Sequence, residues 1–318
     1  MLSRKHKLFA LKFISLFSVV RGYNIPIIAL AQYLSAIFIL APDQRALSIL
    51  LDFRLFIIVL ASSVTIASGY IINNFYDSKK DLINRPNKSH LDRLVSQKTK
   101  LQVYFSLNFF VVLIASFVSF KAVLFYSTYI FLIWFYSHKI KKYAIIGNLM
   151  AAFLAVLPFF GILWYYYLRL PLDVIENNST ELEVVISHGV FLLLLILIRE
   201  MIKDLENLQG DFANDYKTIP IIYGEKMSKR IITGLTLLTI VPVYFLINIY
   251  DVGYMDIYFY FSFIVLIFFL LYLWKWQTKA QYVMLHNLLK FLIVAGVFSI
   301  ILINPSVLWN GKKILMTI

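Results

Sequence analysis

The sequence predicts an all-α integral membrane protein with nine transmembrane helices, and three observations carry that prediction. Hydrophobic residues make up 61% of the chain, aromatic residues 17% and charged residues only 15%, a balance far from that of a soluble domain. Nine apolar stretches approach the length of about 20 residues that a helix needs to cross a hydrocarbon core. No period-two alternation recurs along the chain, so a transmembrane barrel is not expected.

Taken in order, the expected spans run near Asn24 to Leu40, Phe53 to Asn73, Leu101 to Ser119, Ala122 to Ser137 and Ala144 to Tyr167. They continue with Ser187 to Met201, Ile231 to Tyr250, Ile257 to Trp274 and Leu288 to Ile303. Only Phe120 and Lys121 separate the third from the fourth, while polar runs such as Asp173 to Glu183 mark the loops. Ahead of the first span, Arg4-Lys5-His6-Lys7 and the apolar run Leu8 to Val20 have the outline of a signal peptide. Lys12 interrupts that run and no small-x-small site precedes Arg21, so residues 1–22 are expected to form an interfacial amphipathic helix. A nine-helix core over 23–305 and a tail over 306–318 complete one polytopic domain.

Short loops rich in Lys and Arg stay on the cytoplasmic side. With the amino terminus inside, 23 of the 30 Lys and Arg residues fall on inside segments and six outside, and Lys290 lies within the last span. The expected location is therefore an inner, cytoplasmic membrane, taken as bacterial, with the acidic segments described next on the cytoplasmic face. The net charge of +13 is spread over these loops, where it orients the protein and attracts anionic lipid. Nucleic-acid binding is not expected, because no separate basic domain gathers the charge. There is no cysteine, which excludes a disulfide scaffold, a thiolate nucleophile and a Cys-based zinc site.

Two acidic segments stand at helix ends in this apolar background: Asn73 to Asp81 after the second span and Asp204 to Asp211 after the sixth. Carboxylates at a bilayer edge are costly and mark function. Asn73, Asp77 and Asp81 are spaced by four, and Asp204, Asn207 and Asp211 by three and four, so each set can share one helix face. If the two faces meet, four carboxylates and two amides converge as oxygen donors suited to Mg²⁺, which completes its shell with water and substrate phosphate. Lys80 and Arg85 beside the first segment, Arg199 and Lys203 beside the second, and Lys139, Lys141 and Lys142 after the fourth span supply cations for a diphosphate. Simpler readings compete: Arg199 and Lys203 also suit helical ion pairs with Glu200 and Asp204, and the Lys139 to Lys142 group also suits a topology marker. His138 and His188 have no metal-ligand spacing.

Asn73-x-x-x-Asp77-x-x-x-Asp81, the segment Ile83-Asn84-Arg85-Pro86-Asn87, and the set Asp204, Asn207 and Asp211 resemble the signatures of the UbiA superfamily of intramembrane prenyltransferases. So do Tyr136-Ser137-His138-Lys139-Ile140-Lys141, Gly147-Asn148, Lys217-Thr218-Ile219-Pro220 with Gly224, and Arg21 with Asn24. The likeness covers about residues 20 to 305. It implies nine helices around a central cavity, with a cytoplasmic cap formed by the loops after the second and sixth helices. The implied activity is Mg²⁺-dependent transfer of a polyprenyl chain from its diphosphate to a lipophilic acceptor in the bilayer. It further implies that Asp77, Asp81, Asp204 and Asp211 are catalytic and, with Asn73 and Asn207, hold metal. Lys80, Arg85, Lys141, Arg199, Lys203, Arg21, Asn24 and Tyr136 would then bind the substrate diphosphate.

Asn207 departs from the usual Asp and puts metal number and affinity in question, while Lys88-Ser89 replaces a frequent Arg-Pro and alters how the loop packs over the diphosphate. The chain has 28 Phe and 21 Tyr, enough to wall a carbocation with π faces. Arg199-Glu200-Met201-Ile202-Lys203-Asp204 with Gly210-Asp211 looks most like geranylgeranylglycerol-phosphate geranylgeranyltransferases. That favours a geranylgeranyl donor and a glycerol-phosphate hydroxyl as acceptor over an aromatic, quinone-precursor or chlorophyll-type acceptor. A transporter or lipid carrier would carry its acids near midplane in broken helices, and the Asp-Gly-x-x-Ala-Arg signature of alcohol phosphotransferases is missing from the sequence.

Overall fold

The computed structural model describes residues 4–167 and 179–308, and the side chains of 11–166 and 182–308. Among the described residues, nine helices are long and apolar enough to cross a membrane, and the protein is an integral membrane protein. The expected tail lies outside the described residues from residue 309 on.

Helix α1 (Arg4–Val19) precedes a 3-10 turn at Gly22–Asn24 and α2 (Ile25–Ser35), which continues as a π-turn over Ala36–Leu40. After the short α3 (Ala46–Leu50), Asp52 caps α4 (Phe53–Asn84) by accepting from the backbone N–H groups of Arg54 and Leu55 at 2.9 and 3.2 Å. At 32 residues, α4 is about 48 Å long and outruns a hydrocarbon core of about 30 Å. The first acidic segment therefore lies on the helix's own protruding turns, as its four-residue spacing suggested. Pro86 ends α4, with Arg85 before it turned out of the helical region (φ −143°, ψ 65°), and then opens α5 (Pro86–Asp92).

Ser96 caps α6 (Gln97–Ser116), and Ser119 caps α7 (Phe120–His138) by accepting from the N–H of Ala122 at 3.1 Å. That cap keeps the two closely spaced apolar runs apart as separate helices. Helix α8 (Ile146–Tyr167) contains Pro158, whose carbonyl accepts from Gln32 Nε2 at 2.9 Å. Helix α9 (Ser179–Glu206) begins earlier than its apolar run. Of the polar run expected as a loop, Ser179 to Glu183 are helical, and 173–178 lie outside the described residues. Then come α10 (Leu208–Ala213), α11 (Ile219–Leu238, kinked at Gly224 with φ 79°), α12 (Ile240–Asn248), α13 (Asp256–Lys275) and α14 (Lys279–Ser299).

Two helices organise the bundle. Helix α4 packs on α2, α6 and α7, while α9 packs on α8, α11, α12 and α14, and these two are the most enclosed spans. Helices α5 and α10 lie over one end as a cap. Helix α1 rests on that cap: Ser15 Oγ donates to the Leu91 carbonyl and Ser18 Oγ to Asp92 Oδ1, both at 2.8 Å. Asp92 Oδ2 in turn accepts from Lys88 Nζ and Asn74 Nδ2 at 2.9 Å, and buried Lys100 Nζ donates to Asn74 Oδ1 at 2.8 Å. The lysine that departs from the expected Arg-Pro, Lys88, thus has a local partner in Asp92 that ties α5 to α4.

Candidate active site

Under the cap lies a strongly polar pocket walled by α4, the α7–α8 connection, α9 and α10, with Arg21 at its edge. Helical spacing aims Asn73, Asp77 and Asp81 from α4 into it, and Asp204, Asn207 and Asp211 enter from the opposite wall. The expected shared helical face does not extend through the second set. The backbone breaks at Asn207 (φ −102°, ψ 11°), so Asp211 reaches the pocket from α10 rather than from a continuation of α9.

Cations and carboxylates interleave. Lys80 Nζ stands 3.1 Å from Asp211 Oδ1 and 3.9 Å from Asp77 Oδ1, spanning the two acidic segments. Lys141 Nζ lies 2.7 Å from Asp77 Oδ1 and donates to Asn73 Oδ1 at 3.0 Å. Asn148 Nδ2 donates to Asp204 Oδ2 at 2.8 Å. Burial pushes the Asp211 carboxyl above its ordinary range, against the pull of the neighbouring Lys80 ammonium.

Of the expected diphosphate contacts, Arg21, Lys80, Arg85, Lys141, Lys203 and Tyr136 line the pocket. Asn24 and Arg199 do not. Asn24 Nδ2 donates to the Tyr70 hydroxyl at 3.4 Å, and Arg199 is held by Glu200 at 3.3 Å and by His286 Nε2 at 3.0 Å. The helical ion pairs that competed with a phosphate role are present on Glu200, since Lys203 Nζ is 2.6 Å from Glu200 Oε2.

Tyr216, which lines the pocket, carries no signature in the sequence. The Tyr216 hydroxyl donates to Asp77 Oδ1 at 2.9 Å while Lys80 Nζ sits 4.2 Å above its ring. Burial, with the Asp77 charge beside it, raises that phenol well above its ordinary value and keeps it a donor. A single backbone bond, from Lys217 N–H to the Lys142 carbonyl at 2.8 Å, brings the Tyr216 loop across to the α7–α8 connection. The only hint is position: Tyr216 directly precedes the Lys217-Thr218 pair. Glu206 receives Arg85 Nη2 at 2.9 Å, and Asn84 Oδ1 accepts from the Gly210 N–H at 3.0 Å, so the ends of α4 and α9–α10 are tied together.

Asn73, Asp77, Asp81, Asp204, Asn207 and Asp211 form an all-oxygen donor set of the kind hard divalent cations prefer. Asn207 Oδ1 is buried with no hydrogen-bond partner, an acceptor in want of a cation or donor. Among the described residues no three carboxylates or imidazoles stand close enough to cage an ion by themselves. The set therefore suits an ion that takes the rest of its shell from water and a bound phosphate.

The chain matches the UbiA prenyltransferase family over residues 29–292. It is 26% identical over 215 residues to the digeranylgeranylglyceryl phosphate synthase of Methanobrevibacter smithii, covering 64% of this chain and 71% of that one. To the synthase of the same name from Sulfurisphaera tokodaii it is 27% identical over 257 residues, covering 76% and 84%. A solved structure concerned with digeranylgeranylglyceryl phosphate synthase in membranes shares the fold at a TM-score of 0.65 and 20% identity, covering 91% and 97%. A UbiA homologue from Archaeoglobus fulgidus bound to GPP and Mg²⁺ shares it at 0.56 and 12% identity, covering 90% and 99%. The protein is a prenyltransferase, and the chain belongs to the UbiA prenyltransferase family.

Proposed function

We propose that the protein transfers a geranylgeranyl group from its diphosphate to a hydroxyl of a glycerol-phosphate-type lipid acceptor, with Mg²⁺ as cofactor. The observation that carries this reading is the meeting of two acidic segments, from α4 and α9–α10, with Lys80 and Lys141 in one pocket at one end of a transmembrane bundle. The names of the relatives and the GPP and Mg²⁺ bound by the Archaeoglobus homologue support it. We read the whole chain as one domain, with an interfacial helix over 1–22, a core over 23–305 and a tail over 306–318. The excess of basic residues on one set of loops supports a cytoplasmic active face. The host membrane is taken as a bacterial inner membrane, although the relatives named above are archaeal.

In this reading Asp77, Asp81, Asp204 and Asp211, with Asn73 and Asn207, hold Mg²⁺, which neutralises charge on the diphosphate when bound. Lys80, Lys141, Lys203, Arg85 and Arg21 bind diphosphate oxygens and take up the charge that grows on them as the allylic bond ionises. Tyr136 is the remaining diphosphate contact. Asn24 and Arg199 act one step removed, Asn24 through Tyr70 and Arg199 through Glu200. Lys80 and Lys141, which neutralise Asp77 and Asp211 in the pocket, keep the carboxylates from repelling one another.

The test is diphosphate release by lipid-reconstituted protein given geranylgeranyl diphosphate, Mg²⁺ and geranylgeranylglyceryl phosphate, with mass spectrometry of the product. Release that needs both Mg²⁺ and Asp77 and yields the doubly prenylated glyceryl phosphate is the expected result. Release only with an aromatic acceptor would overturn the acceptor class, and no release with any acceptor would overturn the activity.

A further inference from the structure

Lys290 is a cation that neither the membrane-flanking loops nor the polar pocket explains. It lies eleven residues into α14, between Leu288-Leu289 and Phe291-Leu292. That is about 16 Å along the helix axis from the end that bonds the protruding α4, and two residues into the apolar run that starts at Leu288, so it lies near the capped-side edge of the hydrocarbon core. A lysine at this edge holds its ammonium at headgroup depth. Among the described residues no carboxylate lies within ion-pair distance of it. Instead its ammonium sits 4.6 Å from the centroid of the Tyr23 ring.

That placement follows from helix geometry. Side chains on a helix lean toward its amino-terminal end, and the amino-terminal end of α14 is the capped end of the bundle, where Lys279 Nζ donates to the Asn84 carbonyl. Lys290 therefore reaches back toward the pocket and meets Tyr23 on the 3-10 turn that enters α2. On the other side of this turn Arg21 lies 5.0 Å over the Tyr70 ring and Asn24 bonds the Tyr70 hydroxyl. Arg21 and Tyr70 both line the pocket. Tyr23 is 57% exposed on the outer surface of the bundle. One short turn thus separates a pocket cation, Arg21, from a cation at the membrane edge, Lys290, at the seam where α2 packs on α14.

We propose that Lys290 and Tyr23 form a docking post for the phosphate of the acceptor lipid. The post holds the phosphate at the lipid-facing edge while the acceptor hydroxyl reaches past Arg21 into the pocket. The inference rests on the proposed function and names the residues by which that site selects an acidic acceptor. Lys80 and Lys141 serve the donor diphosphate within the pocket. A lipid phosphate lies at the same headgroup depth and compensates the lysine's charge, which a neutral acceptor would leave unpaired. The Tyr23 hydroxyl adds a donor, and its ring face shields the ammonium when the post is empty.

The experiment uses the full chain in nanodiscs, with wild type, Lys290→Met and Lys290→Arg. Binding of geranylgeranylglyceryl phosphate and of phosphate-free geranylgeranylglycerol is followed by native mass spectrometry, and acceptor and donor KM are measured separately. Lys290→Met should lose affinity for the phosphate lipid by about tenfold, the worth of one charge-assisted hydrogen bond. It should raise the acceptor KM to match, leave the prenyl diphosphate KM unchanged, and melt no lower than wild type, because it removes a charge from the apolar span. Lys290→Arg should stay close to wild type, and the phosphate-free lipid should bind all three alike. Unchanged phosphate-lipid affinity in Lys290→Met overturns the proposal. So does a rise confined to the prenyl diphosphate KM, or equal displacement by phosphatidylglycerol, which would make the post a site for bulk lipid. Binding needs no turnover, so wild type that holds the phosphate lipid through Lys290 yet transfers nothing overturns the proposed function alone. Wild type that transfers while Lys290→Met is unaffected overturns only the docking post.

Discussion

The two acidic segments reach the same pocket by different means. Asn73, Asp77 and Asp81 ride one uninterrupted helix, and α-helical geometry by itself turns all three the same way. Asp204, Asn207 and Asp211 are split by the backbone break at Asn207, so Asp211 is placed by what holds α10: the Gly210 to Asn84 bond, and Lys80 at 3.1 Å. A ligand set on a rigid helix needs only its own side chains. A set divided between two helices depends on partners more than a hundred residues away in the chain.

The contrast can be broken most severely at Asp77, which touches Lys141, Lys80 and Tyr216 at once. Asp77→Asn should lower turnover by about a thousandfold while leaving the melting temperature of the reconstituted protein close to wild type. Full activity in this variant would remove α4 from the catalytic assignment. Next comes Gly210→Ala, since a β-carbon there would clash with the Asn84 side chain. It should cost about tenfold or more in activity although no ligand is altered. The matching control is Lys79→Ala on the exposed face of α4, expected to change activity by less than about twofold. Equal effects of the two would mean that the second segment is no more dependent on remote packing than the first.

A third substitution probes the one side chain that bridges the segments from outside both. Tyr216→Phe removes the hydrogen bond to Asp77 and leaves the ring under Lys80. The Mg²⁺ concentration at half-maximal activity should rise about tenfold, as for other groups that orient a metal ligand; an unchanged titration would leave Tyr216 a packing residue. The smallest effect is expected at Asn207→Asp, which turns an amide whose oxygen is buried and unpartnered into a carboxylate. Half-saturation by Mg²⁺ should fall by a few-fold, and an identical curve would place residue 207 outside the metal's reach.

Much of the site was legible because the chemistry is written in short spacings. Asn73, Asp77 and Asp81 could be grouped from their four-residue interval, and Lys80 and Arg85 flank them in sequence. Tyr216, Asn148 and Glu206 could not be placed by the same means. Their partners Asp77, Asp204 and Arg85 lie 139, 56 and 121 residues away, and no local pattern encodes a pairing at that range. Arg199 shows the opposite error. Its neighbourhood to Asp204 suggested a phosphate ligand, but the helix turns it toward His286. The start of α9 was misread for a related reason, because the polar residues Ser179 to Glu183 belong to a helix whose apolar stretch begins only later.

By itself the sequence determined the membrane class, the nine spans and which acidic residues meet in the pocket. Each of these follows from composition or from intervals of three to four residues, which hydration free energy and helix geometry translate directly. Only the tertiary structure decided that α4 continues intact through its motif while α9 breaks before Asp211, that Lys80 spans the two segments, and that Lys290 faces Tyr23 at the α2–α14 seam. Those outcomes depend on which helices pack together, and an apolar helix surface in a bilayer carries too little directional information to name its neighbour in advance.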